Sequence, residues 1–338
     1  MIKKIRVKNF KSFKDLELSL GKVNILVGAN ASGKSNFVEI FRFLRDIAKH
    51  GLVNAISMHG GTEYIKNINI DYDEFLSFEI VYSESALDIP YQNKKILEES
   101  YSFAIKFDDD KLNFNIVSNL HEPYLSLKKI FDKISIYDFN PKFSKEAVPI
   151  FAKMDLEEDG RNLVIAVKKI LDDPEKKRMF MNLVSYLLPY VEDIKVDKFT
   201  ETHYYLGIKE TYSDKHYLPA PLISDGTINA LGLVVALYFQ ESPLIIIEEP
   251  DKGFHPSIIS SVVEMMKDAT KYTDKQIIVT THNPEMVRYA DMKNIFLVSR
   301  SENGFSSIVK PFRKRDVKIF LENGLRPEEL YVDNLLEM

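Results

Sequence analysis

The chain has no cysteine. This excludes disulfides and thiolate-held metals, cysteine-bound zinc among them, and agrees with a reducing compartment. It also lacks a run long enough to span a bilayer: the longest apolar stretches, such as 231–239, fall far short of the roughly 20 residues a membrane helix needs. The basic start, MIKKIRVKNFKSFKDLEL, continues into charge rather than an apolar segment, so it does not read as a signal peptide. A cytoplasmic protein with no membrane attachment is the expectation. No heptad pattern is sustained, which argues against a long coiled-coil arm, and no internal repeat or low-complexity linker is found. Positive charge is not in excess: a formal net charge of −5 argues against a surface that coats nucleic acid throughout. A local basic patch remains in Lys3, Lys4, Arg6, Lys8, Lys11 and Lys14. Because Ile5 and Val7 alternate with Arg6 and Lys8, the patch reads first as the solvent face of an edge strand and only second as a DNA contact.

What is present is a globular composition. With 338 residues, 45% hydrophobic and 28% charged, the chain can bury a sizeable core. Val23 to Val27 is a short apolar strand closed by Gly28, and Ser35 to His50 repeats Phe37, Phe41, Leu44 and Ala48 at helical spacing. From Tyr64 to about Ser118 the period switches to two, in FLSFEIVYS, YSFAIKF and LNFNIVS, which predicts an antiparallel meander with a polar turn at Asp108 to Lys111. Arg161–Leu171 and Glu175–Val191 read as helices parted by a stop and a proline start at Asp173-Pro174. Strand-like alternation returns over Glu192–Tyr217. The last third predicts helix Thr227–Phe239, strand Leu244–Ile247, helix Ser257–Ala269, strand Gln276–Thr280, helix Pro284–Tyr289 and strand Ile295–Ser299. Nearly continuous apolar strands between helices imply a parallel sheet buried on both faces.

The octet from Gly28 to Ser35, GANASGKS, fits the pattern G-x-x-x-x-G-K-[ST] without a mismatch. Average residue usage produces such an octet by accident in on the order of one per cent of chains this long. Its placement between a strand and a helix lowers that further. Glycines let the backbone wrap an anion, so that N–H groups and the helix N-terminus converge on a phosphate. Gly28, Asn30, Ala31, Ser32, Gly33, Lys34, Ser35 and Asn36 are accordingly the expected ATP-binding residues. Lys34 adds a point charge at the β- and γ-phosphates, and the Ser35 hydroxyl is a Mg²⁺ ligand.

LIIIEEPDKGFHP, from Leu244 to Pro256, places two carboxylates at the carboxyl end of a buried strand, the edge where open parallel sheets bind ligands. Neighbouring residues of an extended segment point apart, so the two acids are given separate roles. Glu248 is assigned to the Mg²⁺ shell through water, and Glu249 orients or deprotonates the attacking water. QIIVTTH ends another buried strand at His282, which is placed to meet the γ-phosphate; a lone histidine at a strand end is more often capped or solvent-facing, so chain order has to decide. His255 is given no role.

LISDGTINAL (Leu222–Leu231) opens an apolar helix with a Ser-Asp-Gly-Thr turn. Ser224 or Asp225 can cap that helix, and the same unpaired N–H groups suit an anion. The order P-loop, Ser-Asp-Gly-Thr turn, acidic strand, histidine, with the turn only about two dozen residues before the acids, resembles the ABC-class ATPases. That resemblance implies that Ser224, Asp225 and Gly226 form a signature motif meeting the γ-phosphate on the P-loop of a second copy, and that His282 senses that phosphate. A helix dipole contributes only ~0.3–1 kcal/mol, whereas a charge-assisted hydrogen bond to phosphate contributes roughly 1.5–3 kcal/mol. Two sandwiched nucleotides would then close a homodimer that hydrolysis opens.

Ile5 to Phe13, IRVKNFKSF, followed by GANASGKSN is similar to the opening of RecF/SMC-type ATPases, and especially of stand-alone prokaryotic AAA-family ATPases of RecF-like and OLD-like kind. HGGTEYI (His59–Ile65), IYDFNP (Ile136–Pro141) and EEDGRNL (Glu157–Leu163) extend the similarity without a chemistry derivable from sequence. The resemblance implies an α/β fold of P-loop ABC-ATPase type: a mostly parallel core sheet, an antiparallel β meander and a short helical insert. It implies one ATPase head over 1–338, with an N-terminal lobe 1–140, an insert 141–221 and a C-terminal lobe 222–338. Its cofactors would be ATP and Mg²⁺, its partners a second copy, DNA and a separately encoded nuclease or effector. Transporter subunits usually carry Ser-Gly-Gly-Gln and Asp-Glu where this chain has Ser-Asp-Gly-Thr and Glu-Glu, which disfavours a transporter motor. None of Gln92, Gln240 and Gln276 fits a Q-loop. The roughly fifty residues after His282 hold no acidic Toprim-type cluster, so DNA cleavage would need a partner. Two functions follow: a Mg²⁺-dependent ATPase of DNA repair, maintenance or phage defence, or a switch that scaffolds an effector with little hydrolysis of its own.

Overall fold

Every residue of the strand Val23–Val27 is buried, and its one polar member, Asn24, spends its amide on the carbonyls of Gly21 and Ile277. The computed structural model describes residues 1–67, 69, 76–83, 98–108, 111–118, 128, 130–213, 216–333 and 335–336. They divide into two compact units, residues 1–134 with 275–338, and residues 135–274.

In the first unit Val23–Val27 lies between two parallel neighbours, Gln276–Thr281 and Ile295–Arg300, and Ser306–Val309 adds an antiparallel strand beyond the latter. Parallel strands need crossover connections and covered faces. The helix Lys34–His50 supplies cover with a broad apolar surface, Phe37, Val38, Ile40, Phe41, Phe43, Leu44 and Ile47 all being buried. The unit also holds a five-stranded antiparallel sheet in the order Phe13–Ser19, Ile2–Phe10, Leu76–Ser83, Glu98–Asp108, Lys111–Ser118. Phe43 meets this sheet through Phe78 and Phe10, whose ring centroids are 6.0 and 5.9 Å away.

The sequence pattern is corrected at one point here. The basic strand Ile2–Phe10 is not an edge: its backbone pairs with Phe13–Ser19 on one side and with the distant segment Leu76–Ser83 on the other, a partner that alternation along the strand does not reveal. Its positive side chains face acids of the adjoining strand, Lys4 to Glu17 at 2.9 Å and Arg6 to Asp15 at 3.1 Å. The Arg6 hydrogen bond holds the Asp15 carboxyl below the usual range. Much of the charge that suggested a DNA contact is thereby neutralised. The meander is the distal part of this sheet, and residues 109 and 110 of its turn, like Gln92, lie outside the described residues.

In the second unit, helices Leu163–Leu171 and Pro174–Leu187 flank Asp173, whose carboxylate accepts the N–H groups of Glu175 and Lys176 at 3.0 and 3.1 Å. The second helix stops at Leu187, short of the expected Val191, because Pro189 forces Leu188 out of helical geometry. Val191–Thr200 and His203–Glu210 form a hairpin. The acid-bearing strand Leu244–Glu248 pairs in parallel with Ser135–Tyr137. The helix opening at Asp225 is α-helical to Val234 and widens into a π-turn over Val235–Phe239. Among the described residues no helix is long and apolar enough to cross a membrane.

Candidate functional site

The loop after Val27 is built as a concave backbone. Ala31 and Gly33 both take left-handed conformations, φ +62° and +116°, and such turns make successive N–H groups converge. Helix Lys34–His50 starts at once, with Gly33 as an N-cap that brings no side chain to the helix end. Both glycines are fixed by close approach: a Cβ on Gly28 would lie 2.2 Å from the Val298 carbonyl oxygen, and one on Gly33 2.3 Å from Ser306 Oγ. The Lys34 ammonium donates to the carbonyls of Gly28 and Ala29 at 2.8 and 2.9 Å, folded back across the loop. Ser32 Oγ is buried and meets no hydrogen-bond partner. An orphaned hydroxyl, a left-handed nest and a cationic side chain on its rim together fit a phosphate. Asn30, Ala31 and Ser35 are exposed around it.

The loop is held from outside by residues that motif reasoning missed. Ser306 Oγ donates to the Ser32 carbonyl at 2.7 Å, and its N–H donates to the Ser12 carbonyl at 2.8 Å. Asn36 Nδ2 donates to Ser12 Oγ at 2.8 Å. Ser12 lies in the NFKSF segment, so that motif braces the phosphate loop. A cavity of about 590 Å³ adjoins the loop, lined by Gly28 to Ser32, by Leu297 to Ser301, and by Tyr331, Val332 and Leu336. Its size is that of a small-molecule site. Register places His282 at the same end of the sheet: Thr281 lies opposite Val27, so His282 and Gly28 each come one residue later. His282 is exposed there. Gln276 sits at the strand's other end, bonded to Ile2 and Gly21.

In the second unit, Glu248 closes its strand and Glu249 turns sharply, with φ +46°. The argument from an extended pair therefore reaches only as far as Glu248. A non-glycine residue in that conformation stores strain of order 1–3 kcal/mol, which clusters at functional sites. The following loop packs on the Ser-Asp-Gly-Thr turn: a Cβ on Gly226 would lie 2.4 Å from the Gly253 carbonyl oxygen, and Asn229 donates to the Lys252 carbonyl at 2.9 Å. Ser224 caps its helix by accepting the Thr227 N–H at 3.1 Å, yet Ser224 and Asp225 stay exposed. The first unit thus carries the GANASGKS loop and His282; the second carries Glu248, Glu249 and the Ser-Asp-Gly-Thr turn, on which the loop after the acids packs.

Residues 23–288 match the family described as "AAA domain, putative AbiEii toxin, Type IV TA system". The chain belongs to this AAA family. It is 23% identical over 341 residues to an ATP/GTP phosphatase of Helicobacter pylori, covering 86% of this chain and 88% of that one. It is 21% identical to Endonuclease GajA of Bacillus cereus, covering 88% of this chain and 58% of the relative. Among solved structures it resembles an SMC head bound to the C-winged helix domain of ScpA, with TM-score 0.62 and 18% identity over 91% of this chain and 97% of that one. The SMC head of Thermotoga maritima gives TM-score 0.55 at 18% identity over 91% and 98%. The fold is that of a P-loop ABC-type ATPase head such as the SMC heads, and the chain is an AAA-family ATPase.

The sequence segments without a derivable chemistry acquire positions. In HGGTEYI, His59 is clamped between two carboxylates of the P-loop helix, Asp46 at 3.0 Å and Glu39 at 3.3 Å, and Lys11 of NFKSF reaches the same Glu39 at 2.7 Å. IYDFNP and EEDGRNL pair with each other, the backbone N–H groups of Asp138 and Asn140 donating to the carbonyls of Glu158 and Asp159, and the Phe139 ring covers Gly232 of the helix Asp225–Val234.

Burial disfavours charge on His59, but the hydrogen bonds to Asp46 and Glu39 outweigh it and raise the imidazole pKa above its ordinary value. A group raised on folding stabilises the fold below its unfolded pKa and loses that contribution as pH climbs through the folded one. Stability is therefore expected to fall from about pH 6.5 upward, with a slope of at most about 1.4 kcal/mol per pH unit from this group. His59→Gln is expected to flatten that part of the profile in denaturant melts; an unchanged slope would remove His59 as its source.

Proposed function

We propose that the chain binds Mg²⁺-ATP, closes into a homodimer around two nucleotides and hydrolyses them. The observation that carries this reading is the backbone nest at Ala31 and Gly33 with the buried, unpartnered Ser32 hydroxyl, a cradle with no evident use except an anion. Gly28, Asn30, Ala31, Ser32, Gly33, Lys34 and Asn36 would hold the triphosphate. Ser35 and, through water, Glu248 would hold Mg²⁺, which neutralises charge on the β- and γ-phosphates when bound. Glu249 would orient and deprotonate the attacking water, and His282 would contact the γ-phosphate from the adjoining strand. The Ser224-Asp225-Gly226 turn would complete the partner's site through the Ser224 hydroxyl and the Gly226 N–H.

Dimerisation has its own test. Ser224→Arg removes a cap worth about 1 kcal/mol and fills the face of the turn with a long side chain. ATP binding to single chains is expected to survive, while the ATP-induced dimer and turnover are lost. Light scattering of the unaltered chain decides the reading itself: single copies at saturating Mg²⁺-ATP together with full phosphate release would refute it.

DNA repair, maintenance or phage defence is the biological setting the RecF/SMC likeness supports, with DNA and a separately encoded nuclease as partners. A second reading is favoured by the endonuclease relative, of whose length this chain spans only 58%: a nucleotide switch that scaffolds an effector and hydrolyses little. Dimerisation without detectable turnover would select it.

A further inference from the structure

Asp225 is an awkward residue for a turn that is to receive a phosphate. It occupies the first position of the helix Asp225–Val234, directly after the cap Ser224. A carboxylate there is drawn to the positive helix end and opposes a second anion at the same N–H groups. The neighbouring hydroxyls do not change this: Ser224 Oγ and Thr227 Oγ1 are bonded to each other at 2.6 Å, and Tyr190 Oη joins Thr227 Oγ1 at 2.9 Å. The countercharge comes from elsewhere in the unit. Lys145, just past the short helix Pro141–Ser144 that IYDFNP opens, donates its ammonium to Asp225 Oδ1 at 2.5 Å.

The two side chains differ in exposure, 17% for Lys145 and 57% for Asp225. The lysine stem is thus packed in place, while the carboxylate lies at the surface a partner would approach. We propose that Lys145 is a positioning residue of the signature turn: it cancels and turns aside the Asp225 charge, so that the helix N-terminus can accept the γ-phosphate bound to a second copy of the chain. This rests on the ATP-closed dimer proposed above. It gives the IYDFNP segment a purpose, since its asparagine caps the short helix that delivers the lysine: Asn140 Oδ1 accepts the Lys142 N–H at 3.1 Å.

The test is charge removal and its rescue. Lys145→Ala is expected to raise the ATP concentration for half-maximal dimerisation roughly tenfold. ATP affinity of single chains, measured in a Ser224→Arg background, should stay unchanged, as should the thermal melting of the nucleotide-free protein. Lys145→Arg should behave as the unaltered chain. Adding Asp225→Asn to Lys145→Ala should restore dimerisation, because the charge that needed cancelling is gone; loss of a merely structural contact would not be repaired that way. The inference fails if Lys145→Ala dimerises normally, or if the double variant is as defective as Lys145→Ala, which would give the ammonium a role independent of Asp225. If the unaltered chain does not dimerise with ATP at all, the dimer reading fails first and takes this inference with it, so the two failures are distinguishable.

Discussion

Replacing Lys34 by alanine is expected to reduce ATP affinity by roughly two to four orders of magnitude, below detection in most titrations. Lys34 is 8% exposed, and its ammonium is bonded to the Gly28 and Ala29 carbonyls of the loop. On nucleotide binding those contacts would be exchanged for phosphate oxygens, at roughly 1.5–3 kcal/mol for each charge-assisted hydrogen bond. Losing two such bonds amounts to about 3–6 kcal/mol, at about 1.4 kcal/mol per factor of ten. The nest itself, set by the left-handed Ala31 and Gly33 and by Ser306 from outside, stays in place. Calorimetric titration of Lys34→Ala with ATP, beside a melt of the nucleotide-free protein, separates lost affinity from lost fold. A well-folded Lys34→Ala chain with ordinary ATP affinity would overturn the phosphate-loop assignment.

The other large effect is expected at Glu249. Glu249→Gln keeps shape and backbone demands, including the positive φ, but removes the group that would take a proton from water. General-base catalysis contributes typically about 10²–10⁴-fold, so turnover should fall by that factor while ATP still binds. Because closing precedes hydrolysis in the proposed cycle, the variant should accumulate as an ATP-held dimer, visible by light scattering or by gel filtration with Mg²⁺-ATP. A monomeric Glu249→Gln protein with undiminished phosphate release would assign the base elsewhere. The adjacent Glu248 gives a contrast, since a metal-shell role predicts loss of the Mg²⁺ requirement or of binding rather than a trapped dimer.

The phosphate loop was legible in the sequence because its requirements are local: glycines for backbone approach, a lysine and a serine at fixed spacing, a strand before and a helix after. The helix beginning at Asp225 was legible for a similar reason, Ser224 being a good cap next to an apolar run. Its end at Phe239 was legible as well, whereas the widening into a π-turn from Val235 was not. Alternation in Ile2–Phe10 correctly marked an inward and an outward face, yet not the strand's place in the sheet. The pairing with Leu76–Ser83 joins segments far apart in the chain, and periodicity is silent about such partners. Helix Pro174–Leu187 ran past its true end in the sequence reading because apolar spacing continued through Pro189, where the backbone cannot.

The residues that frame the site show the same division. Ser306 and Lys145 lie in no motif, and Ser12 and His59 lie in recognisable segments whose role a linear scan cannot give, since each acts on a partner brought near by folding: Ser32, Asp225, Asn36 and Glu39. By itself the chain determined the anion cradle, the acids at a strand end and the order that places it among AAA-family ATPases, because backbone geometry and side-chain chemistry over a few residues suffice for these. Only the tertiary structure decided which distant side chains brace the cradle, that the basic first strand is neutralised by its neighbour, and that a lysine about eighty residues upstream answers the signature aspartate. Charge pairing and strand order depend on distance in space, and spacing along the chain does not encode it.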